Sequence, residues 1–179
     1  MIDGAPRFEE IDPSTYSDKQ KDVVARVAAA RGRVPAPFKV WMHSERLADA
    51  LEGLGSMLNT QSTLSEKEFE LAIVLIAQHW ESPFVIDAHL RFLRRCGADE
   101  RFLKPLAAGG MPEGMTERER AIYDTVKSFT NISLADDRTF DHAVVHLGRD
   151  GLAELIAFVG YYTSVALAMK IHRQPVSQD

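Results

Sequence analysis

The sequence predicts a single all-helical domain. Capping patterns of the type Ser/Thr-x-x-Glu/Gln recur along the chain, and apolar residues repeat with helical spacings of three and four. Short alternating stretches occur, but none is flanked by hairpin turn residues, so no strand is expected. The 179 residues can bury a substantial core, and neither a repeat nor a low-complexity linker divides them. We therefore expect one all-α domain over residues 1–179.

The first helices are predicted from their start signals. Residues 1–36 form an N-terminal lead-in segment with one helix, which begins at a Ser17–Gln20 capping box and stops near Gly32. Ser44 can cap the next helix. The apolar face of that helix is predicted from four leucines, Leu47, Leu51, Leu54 and Leu58.

The middle of the chain predicts two successive core helices. Ser65 and Glu68 form a second capping box, and the helix that follows is apolar on every side after Glu70. We expect this helix to lie at the centre of the core. Ser82 followed by Pro83 is typical of an N-cap and first helical position, so a new helix is predicted to begin there.

The remaining chain predicts further helices. Asp99 can start a short one, and Thr116 with Glu119 forms a third capping box. A helix from about Asp136 should end at Gly148. The last helix is predicted over about 152–171, and its uncharged run is shorter than the roughly 18–20 apolar residues of a membrane span. We interpret it as a core helix.

Composition and charge exclude several function classes. The net charge of −5 leaves no basic field for nucleic-acid binding. The N-terminus lacks a basic region followed by an apolar stretch, so no signal peptide is predicted. The single cysteine, Cys96, cannot form a disulfide within the chain and fits a reducing compartment. We expect a cytoplasmic protein that binds neither nucleic acid nor membrane.

One group of residues could carry chemistry. Ser82, Val85 and His89 are three and four residues apart and share a helical face, and the free N–H groups at the helix start near Ser82 could stabilise an anion. Histidine is the usual proton carrier near neutral pH. Glu70 lies in an apolar helix, where a carboxylate is costly without a partner. The alternative is a structural role, in which Glu70 pairs with Arg91, Arg94 or another buried arginine and His89 is a core histidine hydrogen-bonded to a neighbouring carbonyl.

The stretch EFELAIVLIAQHWESPFVIDAHLRFLRRCGA resembles the signature region of the carboxymuconolactone decarboxylase and alkylhydroperoxidase D-like family. The resemblance covers about residues 65–100 and extends more weakly from 32 to 110. In the peroxidase branch, a glutamate precedes a helix with Cys-x-x-Cys and a histidine, which correspond here to Glu70, Ser82, Val85 and His89. In the decarboxylase-like branch, the pattern Tyr-Glu-Trp-x-x-His lies over Phe84, Val85, Ile86 and His89. Because Ser82 and Val85 occupy the two cysteine positions of the peroxidase pattern, both cysteines are missing from this chain.

The resemblance implies an all-helical fold and a homo-oligomer, a trimer or hexamer. Without a thiol pair, dithiol peroxidase chemistry is disfavoured. We therefore expect acid–base chemistry on a small organic acid or lactone, without metal or organic cofactor. His89 would transfer the proton, and Glu70 would orient the histidine or relay the proton. Ser82, Phe84 and Val85 would contact the substrate. The alternatives are a peroxidase-related protein without the cysteine pair, and a non-catalytic binding or assembly protein.

Two further histidines have metal-ligand spacing. His142 and His146 are four residues apart in DHAVVH and share one helical face. A metal site needs a third ligand, and the neighbouring Asp141 points elsewhere on a helix. From the sequence, we interpret the pair as helix surface or an interface and predict no metal.

Overall fold

The computed structural model describes residues 5–130 and 136–176. Over these ranges the chain is helical and contains no strand. The helices are α1 (Asp18–Arg31), α2 (Phe38–Trp41), α3 (Glu45–Thr60), α4 (Glu66–His79), α5 (Pro83–Arg95), α6 (Glu100–Ala107), α7 (Glu117–Thr130) and α8 (Asp137–His172), with a 3₁₀ turn at Pro13–Thr15. The predicted all-helical fold is confirmed.

The three predicted capping boxes are present. Reciprocal side chain-to-backbone hydrogen bonds join Ser17 with Gln20, Ser65 with Glu68, and Thr116 with Glu119. Each box satisfies two backbone N–H groups at a helix start, where donors have no partner within the helix. The beginnings of α1, α4 and α7 are therefore set by local sequence.

Helix α4 is the central element, as predicted. Every side chain from Leu71 to Ala77 is at most 2% exposed, and α4 contacts α5, α7 and α8. A helix surrounded in this way has to be apolar on all sides, which its sequence satisfies. Near its start, the Phe69 ring packs edge-on against Phe158 of α8, with ring centroids 4.4 Å apart.

Helix α8 is interrupted at Gly148. This residue has a φ of +73°, which glycine adopts without the steric cost of a Cβ atom. The two helical parts on either side are the two helices expected from the sequence. In the described part of the chain, α8 is the one helix long and apolar enough to cross a membrane. Half of its most apolar 18-residue stretch is buried inside the protein. The core helix of a soluble protein can have the same length and composition as a membrane span.

The leucine face predicted for α3 is partly wrong. Leu58 is fully buried, but Leu47 is 46% exposed, and the buried positions include Glu52 and Gly55. Glu52 is tolerated inside because the Arg26 guanidinium of α1 hydrogen-bonds its carboxylate. An ion pair between helices, rather than leucine spacing alone, therefore decides which side of α3 faces α1.

Candidate active site

The turn between α4 and α5 brings Glu70 and His89 together. The Oε2 atom of Glu70 is 2.5 Å from Nδ1 of His89, and the two side chains are 9% and 17% exposed. A carboxylate oxygen can only accept, so Nδ1–H donates to it. This hydrogen bond orients the ring and leaves Nε2 as the nitrogen not engaged by Glu70.

Both residues line an open cavity of about 620 Å³. Phe84 and Val85 of α5, which the sequence placed beside a substrate, also line it. The remaining walls come from the end of α1 and the segment that follows it, from α2, from the end of α3, from the start of α4 and from the second part of α8. The pair thus faces a space that a small molecule can fill, and not a closed core.

Ser82 lies away from this cavity. The residue is 1% exposed and is not among those that line the space. It occupies the N-cap position of α5 without a side-chain cap, and its backbone N–H donates to the carbonyl of Ala77 at 2.9 Å. The Ser82 side chain is therefore not part of the cavity wall, whereas Phe84 and Val85 of the first turn of α5 are. That the N–H groups at the start of α5 bind an anion stays a prediction.

Aromatic rings surround the imidazole. Tyr162 packs edge-on to His89 with centroids 5.9 Å apart, and Phe92 lies 5.6 Å away on the same helix as His89. Complete burial raises the pKa of the Tyr162 phenol far above its usual range, and the charges of Tyr161 and Glu70 raise it further. Tyr162 is therefore a neutral wall of the cavity.

Arg31 is a site residue that the sequence analysis missed. It is the last residue of α1 and lines the cavity. Its Nε and Nη2 atoms are buried and find no hydrogen-bond partner among the described residues. The residue as a whole is half-buried, so it places a positive charge in the cavity wall, where an anionic ligand would be favoured. From the sequence, an arginine at a helix C-terminus indicates only a favourable dipole interaction, so no local signal distinguished Arg31.

The arginines proposed as structural partners of Glu70 have other contacts. Arg91 contacts Asp87 at 2.8 Å on the same helix, and Arg94 contacts Glu100 at 2.8 Å. The carboxylate of Glu70 instead accepts the hydrogen bond from His89.

Cys96 does not face the cavity. It lies just after α5, and burial raises the pKa of its thiol. The nearby carboxylates of Glu66 and Glu70 raise that pKa further, because a thiolate beside them would be repelled. The thiol is therefore held in its unreactive, protonated form.

Solved structures share this arrangement of helices. An uncharacterized peroxidase-related protein from a Silicibacter species superposes with a TM-score of 0.76 at 16% identity, covering 97% of this chain and 92% of that one. The apo debrominase Bmp8 gives 0.76 at 11% identity, covering 96% and 92%. A protein of unknown function from Agrobacterium tumefaciens, suggested to be an antioxidant defence protein AhpD, gives 0.68 at 18% identity, covering 76% and 94%.

The chain has the alkylhydroperoxidase D-like fold. The fold expected from the sequence resemblance is therefore confirmed, although no protein-family model and no curated protein matches the sequence. At identities of 11–18%, these likenesses concern the fold alone. The function depends on the chain's own side chains, which these likenesses in fold do not describe.

Proposed function

We propose that this chain is an enzyme that performs cofactor-free acid–base chemistry on a small organic acid or lactone. The observation that carries the proposal is the Glu70–His89 hydrogen bond in the wall of the open cavity. A structural ion pair would be expected in a filled core. This pair instead borders a space large enough for a small ligand.

His89 is the group that transfers the proton. Glu70 holds Nδ1 and stabilises the imidazolium, so Nε2 is the nitrogen that exchanges a proton with the substrate. Glu70 is a positioning residue because it acts through His89. The apolar walls formed by Phe84, Val85 and Phe92 limit water around a bound molecule, which strengthens electrostatic interactions in the cavity.

Arg31 supports an anionic substrate or intermediate. Its half-buried guanidinium lines the cavity and forms no ion pair with a carboxylate among the described residues, so its positive charge favours a ligand with negative charge. Negative charge that develops on a lactone carbonyl oxygen would be stabilised by such donors. In this proposal Arg31 stabilises the anion together with the N–H groups predicted to do so near Ser82.

The reaction class we favour is decarboxylation of a carboxylated lactone. The bond between the ring carbon and the carboxylate breaks, carbon dioxide leaves, and the electron pair moves into a dienolate conjugated with the lactone carbonyl. The imidazolium of His89 then gives its Nε2 proton to a carbon atom of the dienolate. Solvent afterwards reprotonates the neutral imidazole. All electrons stay in the substrate, so the step requires no oxidant or reductant.

A thiol peroxidase function is less well supported. It requires a reactive thiolate and a resolving thiol. Cys96 is the sole cysteine, lies outside the cavity lining, and has a raised pKa.

The proposal is tested by incubating the purified protein with carboxylated γ-lactones and related acids in D₂O. Carbon-bound deuterium and loss of carbon dioxide are followed by NMR. We expect turnover by the wild type and a loss of at least about 100-fold in His89→Ala, because a positioned acid–base group contributes about that much. Arg31→Met should lose about 100-fold through the missing anion stabilisation.

His79→Ala is the matched control. His79 is an exposed histidine in the last turn of α4 and does not line the cavity, so turnover should be unchanged. Full activity in His89→Ala would overturn the proposal. Consumption of hydrogen peroxide by the wild type with a thiol reductant, lost in Cys96→Ser, would favour the peroxidase-related alternative instead.

A further inference from the structure

A second cluster of ligand-type side chains lies outside the cavity. Glu117, His142 and His146 each place one potential ligand atom so that all three atoms lie within 4.8 Å of one another. None of the three lines the cavity of His89. Glu117 is the first residue of α7, and both histidines lie on α8 before its break at Gly148.

The spacing of these atoms suits a small transition-metal ion. Nε2 of His142 is 3.5 Å from Oε2 of Glu117. Two ligands at roughly 2.0–2.1 Å from a zinc ion, at the tetrahedral angle, stand about 3.4 Å apart. The two imidazole rings have centroids 4.5 Å apart, as expected for histidines one helical turn apart on the same face.

The backbone around the cluster is held by a neighbouring arginine. The Nη1 atom of Arg118 donates to the carbonyl oxygen of His146 at 2.6 Å, while Nε of the same guanidinium donates to Glu68 at 2.8 Å. Arg118 thus links the start of α7, the start of α4 and the turn of α8 that carries His146. Because the guanidinium of Arg118 is paired with Glu68, the carboxylate of Glu117 remains the acidic group next to the two histidines.

We propose that Glu117, His142 and His146 form a zinc-binding site, with water completing the coordination. Two imidazoles and one carboxylate are ligands that zinc accepts, with three protein ligands leaving one position open. The sequence showed only the histidine pair, since the third ligand is 25 residues upstream of His142. A bound ion would tie the start of α7 to the first part of α8. The site is independent of the acid–base function proposed for His89.

The test uses the full chain, free of an affinity tag and stripped with EDTA. Zinc chloride is titrated by calorimetry and by competition with a chromophoric chelator. We expect one zinc ion per chain. The zinc affinity of His142→Ala, His146→Ala and Glu117→Gln should be at least about tenfold weaker, since even removing a residue that hydrogen-bonds to a metal ligand has an effect of that size. His79→Ala, which removes an isolated exposed histidine, should bind zinc as the wild type does.

Thermal unfolding gives a second readout. Excess zinc should raise the Tm of the wild type and of His79→Ala, and leave that of the His142→Ala/His146→Ala double variant unchanged. Far-UV circular dichroism checks that the variants remain folded, which matters because His142 and His146 are half-buried. Equal zinc affinity in the wild type and the double variant would overturn the proposal. So would zinc binding that is lost in Cys96→Ser and kept in the double variant, or no zinc binding by the wild type.

Discussion

Gly55 lies on the buried face of α3, directly against two residues of the cavity wall. A Cβ atom added there would overlap the Tyr161 hydroxyl and the Arg31 guanidinium. The arginine end can swing away, but the tyrosine ring is held between Trp41 and Tyr162, with centroids 5.8 and 5.3 Å from theirs. Gly55→Ala therefore forces a shift of packed side chains in the candidate active site.

The expected change in stability combines two opposing effects. Alanine in a helix interior is favoured over glycine by about 1 kcal/mol. Overpacking a close-packed region costs about 1–3 kcal/mol. The unfolding free energy of Gly55→Ala should therefore fall by about 0–2 kcal/mol. Gly53 lies in the same helix with open space around its Cβ position, so Gly53→Ala should gain about 0.5–1 kcal/mol.

The two variants are compared by urea unfolding, with the m-value checked for a constant change in exposed surface. The helix-propensity contribution is shared, so the difference between the variants isolates the contact of α3 with Tyr161 and Arg31. If Gly55→Ala is stabilised as much as Gly53→Ala, that contact is absent and the described cavity wall is wrong.

Three further predictions concern other parts of the chain. Although burial opposes it, hydrogen bonds from Arg118 and Ser65 hold the pKa of Glu68 below its ordinary 4.5, so stability present above that pH is lost as the carboxylate is protonated. As the pH is lowered below about 4.5, the unfolding free energy of the wild type should fall more steeply than that of Glu68→Gln. Parallel pH curves for the two proteins would contradict this. Because its pKa is raised, Cys96 should react with iodoacetamide at about pH 8 several times more slowly than glutathione, and equal rates would show an accessible thiolate. From the family resemblance, light scattering should give the mass of three or six 20.0 kDa chains; a monomer at all concentrations would refute the predicted oligomer.

The sequence by itself determined most of the helices and several of their boundaries, but α2 was not predicted and the expected side-chain caps at Ser44 and Ser82 do not form. Capping boxes, the N-cap at Asp99 and the stop at Gly148 act within a few residues, so they can be read locally and are present in the structure. The all-apolar pattern of α4 was also sufficient to place it at the centre of the core, since none of its faces carries the polar residues that a solvent-exposed face needs. Together with the signature-region resemblance, these signals predicted the fold and pointed to Glu70 and His89.

The tertiary structure decided which faces meet. Arg31, Glu70, His89 and Tyr162 come from four helices, and no sequence pattern indicated that Arg31 and Tyr162 would join the Glu70–His89 pair. Glu117 likewise joins two histidines of another helix. The physical reason is that helix caps and periodicity depend on neighbours in the chain. The contents of a cavity depend instead on packing between distant segments, where volume, charge pairing and close approach select one arrangement among many.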